Sequence, residues 1–184
     1  VNSYAGLGGA VGLKGSDGSA TVAEALQRGA EFRAQPRAKR ALEMLKELAL
    51  EVYCFAGELG GQVAIDAGLK PVIIGQPQSN PSTAADTICA AKALHALGVD
   101  LILFVGGDGT ARNIFEAVGT SQPVLGLPSG VKMHSGVYAI APEAAAQVII
   151  QLNQGALVSL DLCEVRDIDE AAFREGRVQS KYYG

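Results

Sequence analysis

The stretch that most constrains this chain is residues 101–110. Leu101-Ile102-Leu103-Phe104-Val105 is apolar without a break, and Gly106-Gly107-Asp108-Gly109-Thr110 follows at once. An uninterrupted apolar run closed by glycine reads as a strand covered on both faces, as in the middle of a parallel sheet. Parallel neighbours need crossover connections, usually helices, and the helical pattern over 111–118 supplies one. A strand, a tight turn and a helix N-terminus therefore meet at Asp108. Open parallel sheets bind ligands at such places, beyond the carboxyl ends of their strands.

Each residue of that turn has a physical reading. Without side chains at 106, 107 and 109, backbone N–H groups lie open to an anion, and the helix start adds partial positive charge. Thr110 can cap the helix through its hydroxyl. Asp108 sets a carboxylate where a phosphate would sit, which is repulsive unless a metal ion or a transferable proton intervenes. The plainer reading of the same residues is a tight turn whose Asp caps backbone amides.

The rest of the chain repeats the alternation. A helix is predicted over 22–50, with Leu42, Leu45, Leu48 and Ala49 on one face and Pro36 near a start. A strand over 52–56 runs into Gly57-Glu58-Leu59-Gly60-Gly61, and another over 71–74 precedes a turn-rich segment ending at Pro81. Thr83 and Asp86 have capping-box spacing, opening a helix that reaches Leu97 and closes at Gly98. A strand over 124–127 and a helix over 142–153 follow. The order predicts an α/β fold, a parallel sheet with helices on both faces, within residues 1–155. Residues 156–165 alternate like a strand outside that core, and 166–184 carry no core of their own, so 156–184 read as the start of a second domain.

Two further loops join the Asp108 turn as candidates. Asn2-Ser3-Tyr4-Ala5-Gly6-Leu7-Gly8-Gly9 follows what remains of a strand, Val1 and Asn2. It fails the Rossmann glycine pattern at Val11, and Lys14-Gly15-Ser16 fails the phosphate-loop pattern. Asn2 can still orient a nucleotide, and Lys14 can neutralise a phosphate or simply be solvated. Pro128-Ser129-Gly130-Val131-Lys132-Met133-His134-Ser135-Gly136 follows the strand at 124–127. It offers Lys132 as a charge partner, Ser129 or Ser135 as hydroxyl ligands, and His134 as a candidate base, although lone histidines mostly serve structural or surface roles. Three glycine-rich loops placed directly after strands are expected to converge on one crevice.

Composition excludes several classes. A net charge of −4 and a pI near 5.2 argue against a nucleic-acid surface. No apolar run approaches the roughly 20 residues of a membrane helix. With 48% hydrophobic and 18% charged residues, the chain has the makings of a core. Cys54, Cys89 and Cys163 are widely spaced in apolar surroundings, which predicts buried, reduced thiols in a cytoplasmic protein and no metal site. Asp161, Glu164, Asp167, Asp169 and Glu170 read as a solvated acidic face.

Taken together, the loops resemble the ATP-NAD kinase-like family of the NAD kinase and diacylglycerol kinase superfamily. Gly106-Gly107-Asp108-Gly109-Thr110 matches the superfamily's motif. Gly12-Leu13-Lys14-Gly15-Ser16-Asp17-Gly18 and Gly130-Val131-Lys132-Met133 with Ser135-Gly136 resemble the branch of predicted ATP- or polyphosphate-dependent NAD kinases related to the acetoin-catabolism protein AcoX. The resemblance implies a Rossmann-like, phosphofructokinase-like three-layer sandwich followed by a second, β-rich domain. It implies phosphoryl transfer with Mg²⁺ from ATP or polyphosphate to a hydroxyl, most simply the 2′-hydroxyl of NAD. Asp108 would be the base or the hydroxyl-orienting group. Gly106, Gly107, Gly109 and Thr110 would line the nucleotide site with Asn2, Gly6, Thr83, Asp86, Ser129 and Lys132.

The chain departs from the pattern in two places: Ser3 stands where the superfamily usually has proline, and the chain stops as the second domain is entered. The expectation is a piece of a longer protein that binds phosphate without turnover and covers its exposed apolar surface by self-association. The readings kept beside the kinase are a lipid kinase relative, a kinase of another hydroxyl compound, and a non-catalytic nucleotide sensor linked to acetoin-type catabolism.

Overall fold

The computed structural model describes residues 1–13, 19–130, 133–156, 159–168 and 180–184. Along the chain it runs α1 (Ser19–Gln27), α2 (Ala34–Glu43), β1 (Tyr53–Phe55), α3 (Gly61–Asp66), β2 (Val72–Gly75) and α4 (Ala84–Leu97). It continues with β3 (Ile102–Gly106), α5 (Asp108–Val118), β4 (Val124–Pro128), α6 (Pro142–Asn153), β5 (Arg166–Ile168) and β6 (Ser180–Tyr182).

The pleat of β3 explains the layering. Successive residues of a strand face opposite sides. Ile102 and Phe104 pack with Ala91 of α4 and with Ala111, Ile114 and Val118 of α5. Leu103 and Val105 point the other way, into a cluster with Ala38 and Ala41 of α2, Val63 of α3, Leu127 of β4 and Ala145 and Ala146 of α6. The alanines let α2 and α6 approach closely. The result is the predicted α/β arrangement, parallel strands between helix layers.

β3 is flanked on both edges. β4 pairs with it in parallel, from Ile102 opposite Val124 to Gly106 opposite Pro128. On the other edge the Asn2 N–H donates to the Val105 carbonyl at 2.9 Å. β1 and β2 form a second parallel pair, and a parallel bridge joins Gly126 to Tyr138 beyond β4. Within each parallel pair both strands deliver their following loops to the same end.

The structure corrects three expectations. The single helix over 22–50 is two: Gly29, at φ +83°, ends the first, because that backbone conformation suits glycine and cannot continue a helix. α1 then serves a separate cluster with Leu7, Ala25 and Ala30, while Leu42, Leu45 and Leu48 stay with the main core. The strand over 156–165 is absent from residues 159–165; the antiparallel pair is β5 with β6, joining Arg166 to Tyr182 and Ile168 to Ser180. Val165 is buried and packs with Tyr183 against the α4–α5 cluster. Finally, Cys54 is half-buried and Cys89 and Cys163 are exposed, all three free, because Cys89 lies on an outer face of α4 and Cys163 in an exposed extended segment.

Candidate functional site

Asp108 opens α5 with Gly107 as its extended N-cap, earlier than the expected start at Ala111. Thr110 is therefore inside the first turn and buried, and it is not the cap. Its Oγ1 accepts a hydrogen bond from Asn2 Nδ2 at 3.0 Å, and Asn2 Oδ1 accepts the Tyr4 N–H at 3.2 Å. A carboxylate at N1 is favoured by the helix dipole. Asp108 does more than that with its oxygens. Oδ2 accepts the His134 N–H at 2.9 Å and faces His134 Nδ1 at 3.0 Å, while Oδ1 accepts the Ser135 N–H at 3.0 Å. One buried carboxylate thus ties the loop after β3 to the loop after β4.

The three loops do converge. Gly6, at φ +81°, sits so close to the third loop that a Cβ there would lie 2.4 Å from the Ser129 carbonyl oxygen. The Ser129 N–H donates to the Gly106 carbonyl at 2.9 Å, and Arg37 donates to the Pro128 carbonyl. Tyr138 donates its hydroxyl to the Gly107 carbonyl at 2.6 Å. Burial, with Asp108 and then Asp167 adding to it, pushes the Tyr138 phenol far above its usual pKa, so it remains a donor. Ser135 Oγ donates to the Arg166 carbonyl and accepts the Arg166 N–H, which fastens β5 to the same corner.

The glycines of the turn divide by what surrounds them. A Cβ on Gly106 would collide with the Thr110 side chain at 2.3 Å, so the fold itself requires that glycine. Gly107 has nothing within 4 Å of its Cβ position, and Gly109 only Asp167 Oδ2 at 3.7 Å, an ordinary contact. Neither has a positive φ. Packing within the described chain explains Gly106 and Gly6 but not Gly107 and Gly109; an open face at those two fits a ligand that approaches the backbone.

Other predicted site residues are placed differently. Thr83 and Asp86 form the capping box of α4. Asp86 is buried and accepts the Gln78 N–H at 2.7 Å, the Thr83 N–H at 2.8 Å and the Thr83 hydroxyl at 2.9 Å. Burial raises the Asp86 carboxyl pKa, but these bonds and one from Ser79 outweigh it and hold it below the ordinary value. Both residues hold the start of α4 through these bonds, none of which reaches the Asp108 cluster. Ser129 is 1% exposed, and among the described residues its hydroxyl has no hydrogen-bond partner. Lys132 and Lys14 lie outside the described residues. Open hollows occur beside Glu58, one lined by Tyr4, Phe32 and Gln35, the other by Gln78, Ser79 and Asn80; Asp108 lines neither. Among the described residues, no three His, Cys, Asp or Glu side chains gather as a metal cage.

His134 is brought to Asp108 by the meeting of two loops. Its bond to Asp108 spans 26 positions, and no local spacing carries such a signal. The one available clue was that both residues sit in loops expected to meet.

A family model for the ATP-NAD kinase N-terminal domain matches residues 20–157. The chain belongs to that family, one of kinase-like phosphotransferases. The matched span contains both Asp108 and His134, and begins after the N-terminal loop. No curated protein and no solved structure was found to match the chain. Among the described residues, no helix is long and apolar enough to cross a membrane.

Proposed function

We propose that the protein transfers a phosphoryl group from ATP or polyphosphate to a hydroxyl of NAD, most simply the adenosine 2′-hydroxyl, giving NADP. The observation that carries this reading is Asp108 itself. It stands at the start of α5, at the carboxyl edge of the sheet, between two glycines that the described chain does not need for its own packing. Phosphoryl transfer asks a protein chiefly for positioning and charge stabilisation. The open backbone at Gly107 and Gly109 and the N-terminus of α5 supply a place for phosphate. Asp108 supplies an acceptor at the same point, with Asn2 bracing Thr110 and the first turn.

Mg²⁺ is expected to accompany the donor's phosphates. The described residues do not fit a protein-held ion: no acidic cluster exists, and N–H groups already point at both oxygens of Asp108. Magnesium commonly keeps its waters and rides on substrate phosphates.

The test is NADP formation by the full-length protein, with Mg²⁺ and either ATP or polyphosphate. Turnover with one donor supports the reading and names that donor. Binding of NAD or ATP without turnover by any donor points instead to a nucleotide sensor. Phosphorylation of another hydroxyl compound, with NAD inert, keeps the kinase and replaces the acceptor.

A further inference from the structure

The larger of the two hollows beside Glu58 holds about 680 Å³, a volume typical of small-molecule sites. It lies near the Asp108 turn without including it. Ser3 and Tyr4 on its wall directly follow Asn2, whose side chain holds Thr110 of α5. Gly57 and Glu58 belong to the turn after β1. The Val1 nitrogen donates to the Leu59 carbonyl in that turn, and the Asn2 N–H donates to the Val105 carbonyl near the end of β3. Two consecutive residues thus join the turn after β1 to the strand that delivers Asp108.

The wall has an aromatic part and a polar part. Tyr4 and Phe32 meet edge to face, with ring centres 5.7 Å apart and planes at 79°, and Phe32 is 43% exposed, a large ring left open. Gln35 Nε2 donates to Ser3 Oγ at 2.9 Å and to the Glu58 carbonyl at 2.8 Å. Because a carbonyl only accepts, those bonds fix which end of the amide is which, and the Gln35 oxygen is left to accept. Glu58 Oε1 accepts the Ser82 N–H, and a carboxylate has roughly four acceptor positions in all. The ionised groups on the wall are Glu58 and Asp66 against Lys39. That balance repels a phosphate and suits a flat ring that offers hydrogens.

We propose that this hollow takes the amino-bearing base of the phosphoryl donor, the adenine of ATP, and that the donor is therefore a nucleoside triphosphate and not polyphosphate. This deepens the kinase reading above and rests on it for the place of the phosphates. The base packs on Phe32 and Tyr4, and its exocyclic amine donates to the Glu58 carboxylate or the Gln35 amide oxygen. Separation decides between the two adenines of the reaction. The adenine of the acceptor sits on the ribose carbon next to the one that bears the 2′-hydroxyl, so it has to lie against Asp108. The adenine of the donor is a ribose and two phosphates away from the transferring phosphorus. A hollow joined to Asp108 only by way of Asn2 and Thr110 fits the second. Polyphosphate has no base and gains nothing from Phe32 or Glu58.

The experiment measures, by calorimetry on the full-length protein, the binding of ATP and of inorganic tripolyphosphate, which carries the same run of phosphates without a base. Wild type is compared with Phe32→Ala and Glu58→Gln, the second of which keeps an oxygen for the Ser82 N–H. ATP affinity is expected to fall about tenfold in Phe32→Ala and about threefold or more in Glu58→Gln, while tripolyphosphate affinity stays within about twofold in both, a selectivity that a merely structural defect would not show. A wild type that holds tripolyphosphate as tightly as ATP, or variants that lose both ligands equally or neither, overturns the base site and leaves the kinase reading standing. NADP formation by the wild type is followed alongside. A wild type that forms no NADP, with the selective loss of ATP binding still seen in the variants, overturns the kinase reading and leaves the base site.

Discussion

Asp86 and Asp108 make an instructive pair. Each lies in the first turn of a helix that follows a parallel strand, each is buried, and each accepts backbone N–H bonds. Asp86 spends its oxygens within nine residues of itself, on Gln78 and Thr83. Asp108 reaches across 26 and 27 positions to His134 and Ser135. The first builds a helix start. The second joins two loops and leaves an imidazole edge in the open. A carboxylate at a helix N-terminus is a structural device by default, and what makes it a site is the distance in sequence of the groups it gathers.

Variants can break or sharpen that contrast, and the largest effect is expected at Asp108. Asp108→Ala strands the Ser135 N–H in a buried place and releases His134, at a cost of about 2–4 kcal/mol in urea unfolding. A cost no greater than that of Asp86→Ala would erase the distinction. Gly6→Ala combines a left-handed φ with a collision against Ser129 and should cost about 1–3 kcal/mol. Gly107→Ala and Gly109→Ala should leave stability within about 1 kcal/mol, Gly109 gaining if anything from helix propensity. Both should weaken ATP or polyphosphate binding in calorimetry. A large stability loss in either would give these glycines a structural reason and remove their support for a ligand.

Asp86→Ala should cost about 1 kcal/mol at neutral pH, as loss of a cap does, because Gln78 is exposed and its N–H can turn to water. The pH dependence has a definite sign. The folded carboxyl is held below its ordinary pKa, so its contribution is complete above the unfolded value of about 3.9 and is lost as pH falls through the folded one. Wild type and Asp86→Ala should therefore differ most near pH 7 and converge below about pH 4 in acid-unfolding curves, with turnover unchanged. The smallest effect is expected at Ser129→Ala. Among the described residues that hydroxyl has no hydrogen bond to lose, so stability should change by less than about 0.5 kcal/mol or rise slightly.

The sequence made the layers legible because their signals are local. The apolar run before Gly106, the Thr83–Asp86 spacing and Gly98 all act within a few residues, and α4, β3 and α6 appear where they were expected. The helix over 22–50 misled because Leu42, Leu45 and Leu48 share a face and do enter the core, while the break at Gly29 depends on a backbone angle that spacing does not report. Residues 156–165 misled because alternation alone does not supply a partner strand. At the site, the convergence of three loops followed from their places after parallel strands. The separate jobs of Gly106 and Gly107 did not, since Thr110 crowds only the former. Nor did the bond from Asp108 to His134, which exists only once two loops have met.

The central claim is that the Asp108 turn handles a transferring phosphate. Its most direct test is transfer of label from γ-labelled ATP, or from labelled polyphosphate, to NAD by the full-length protein beside Asp108→Asn. The account predicts labelled NADP from the wild type and a loss of at least about a hundredfold in the variant, with NAD binding largely kept. Equal labelling by both proteins, or none by a wild type that still binds NAD and the donor, would contradict it.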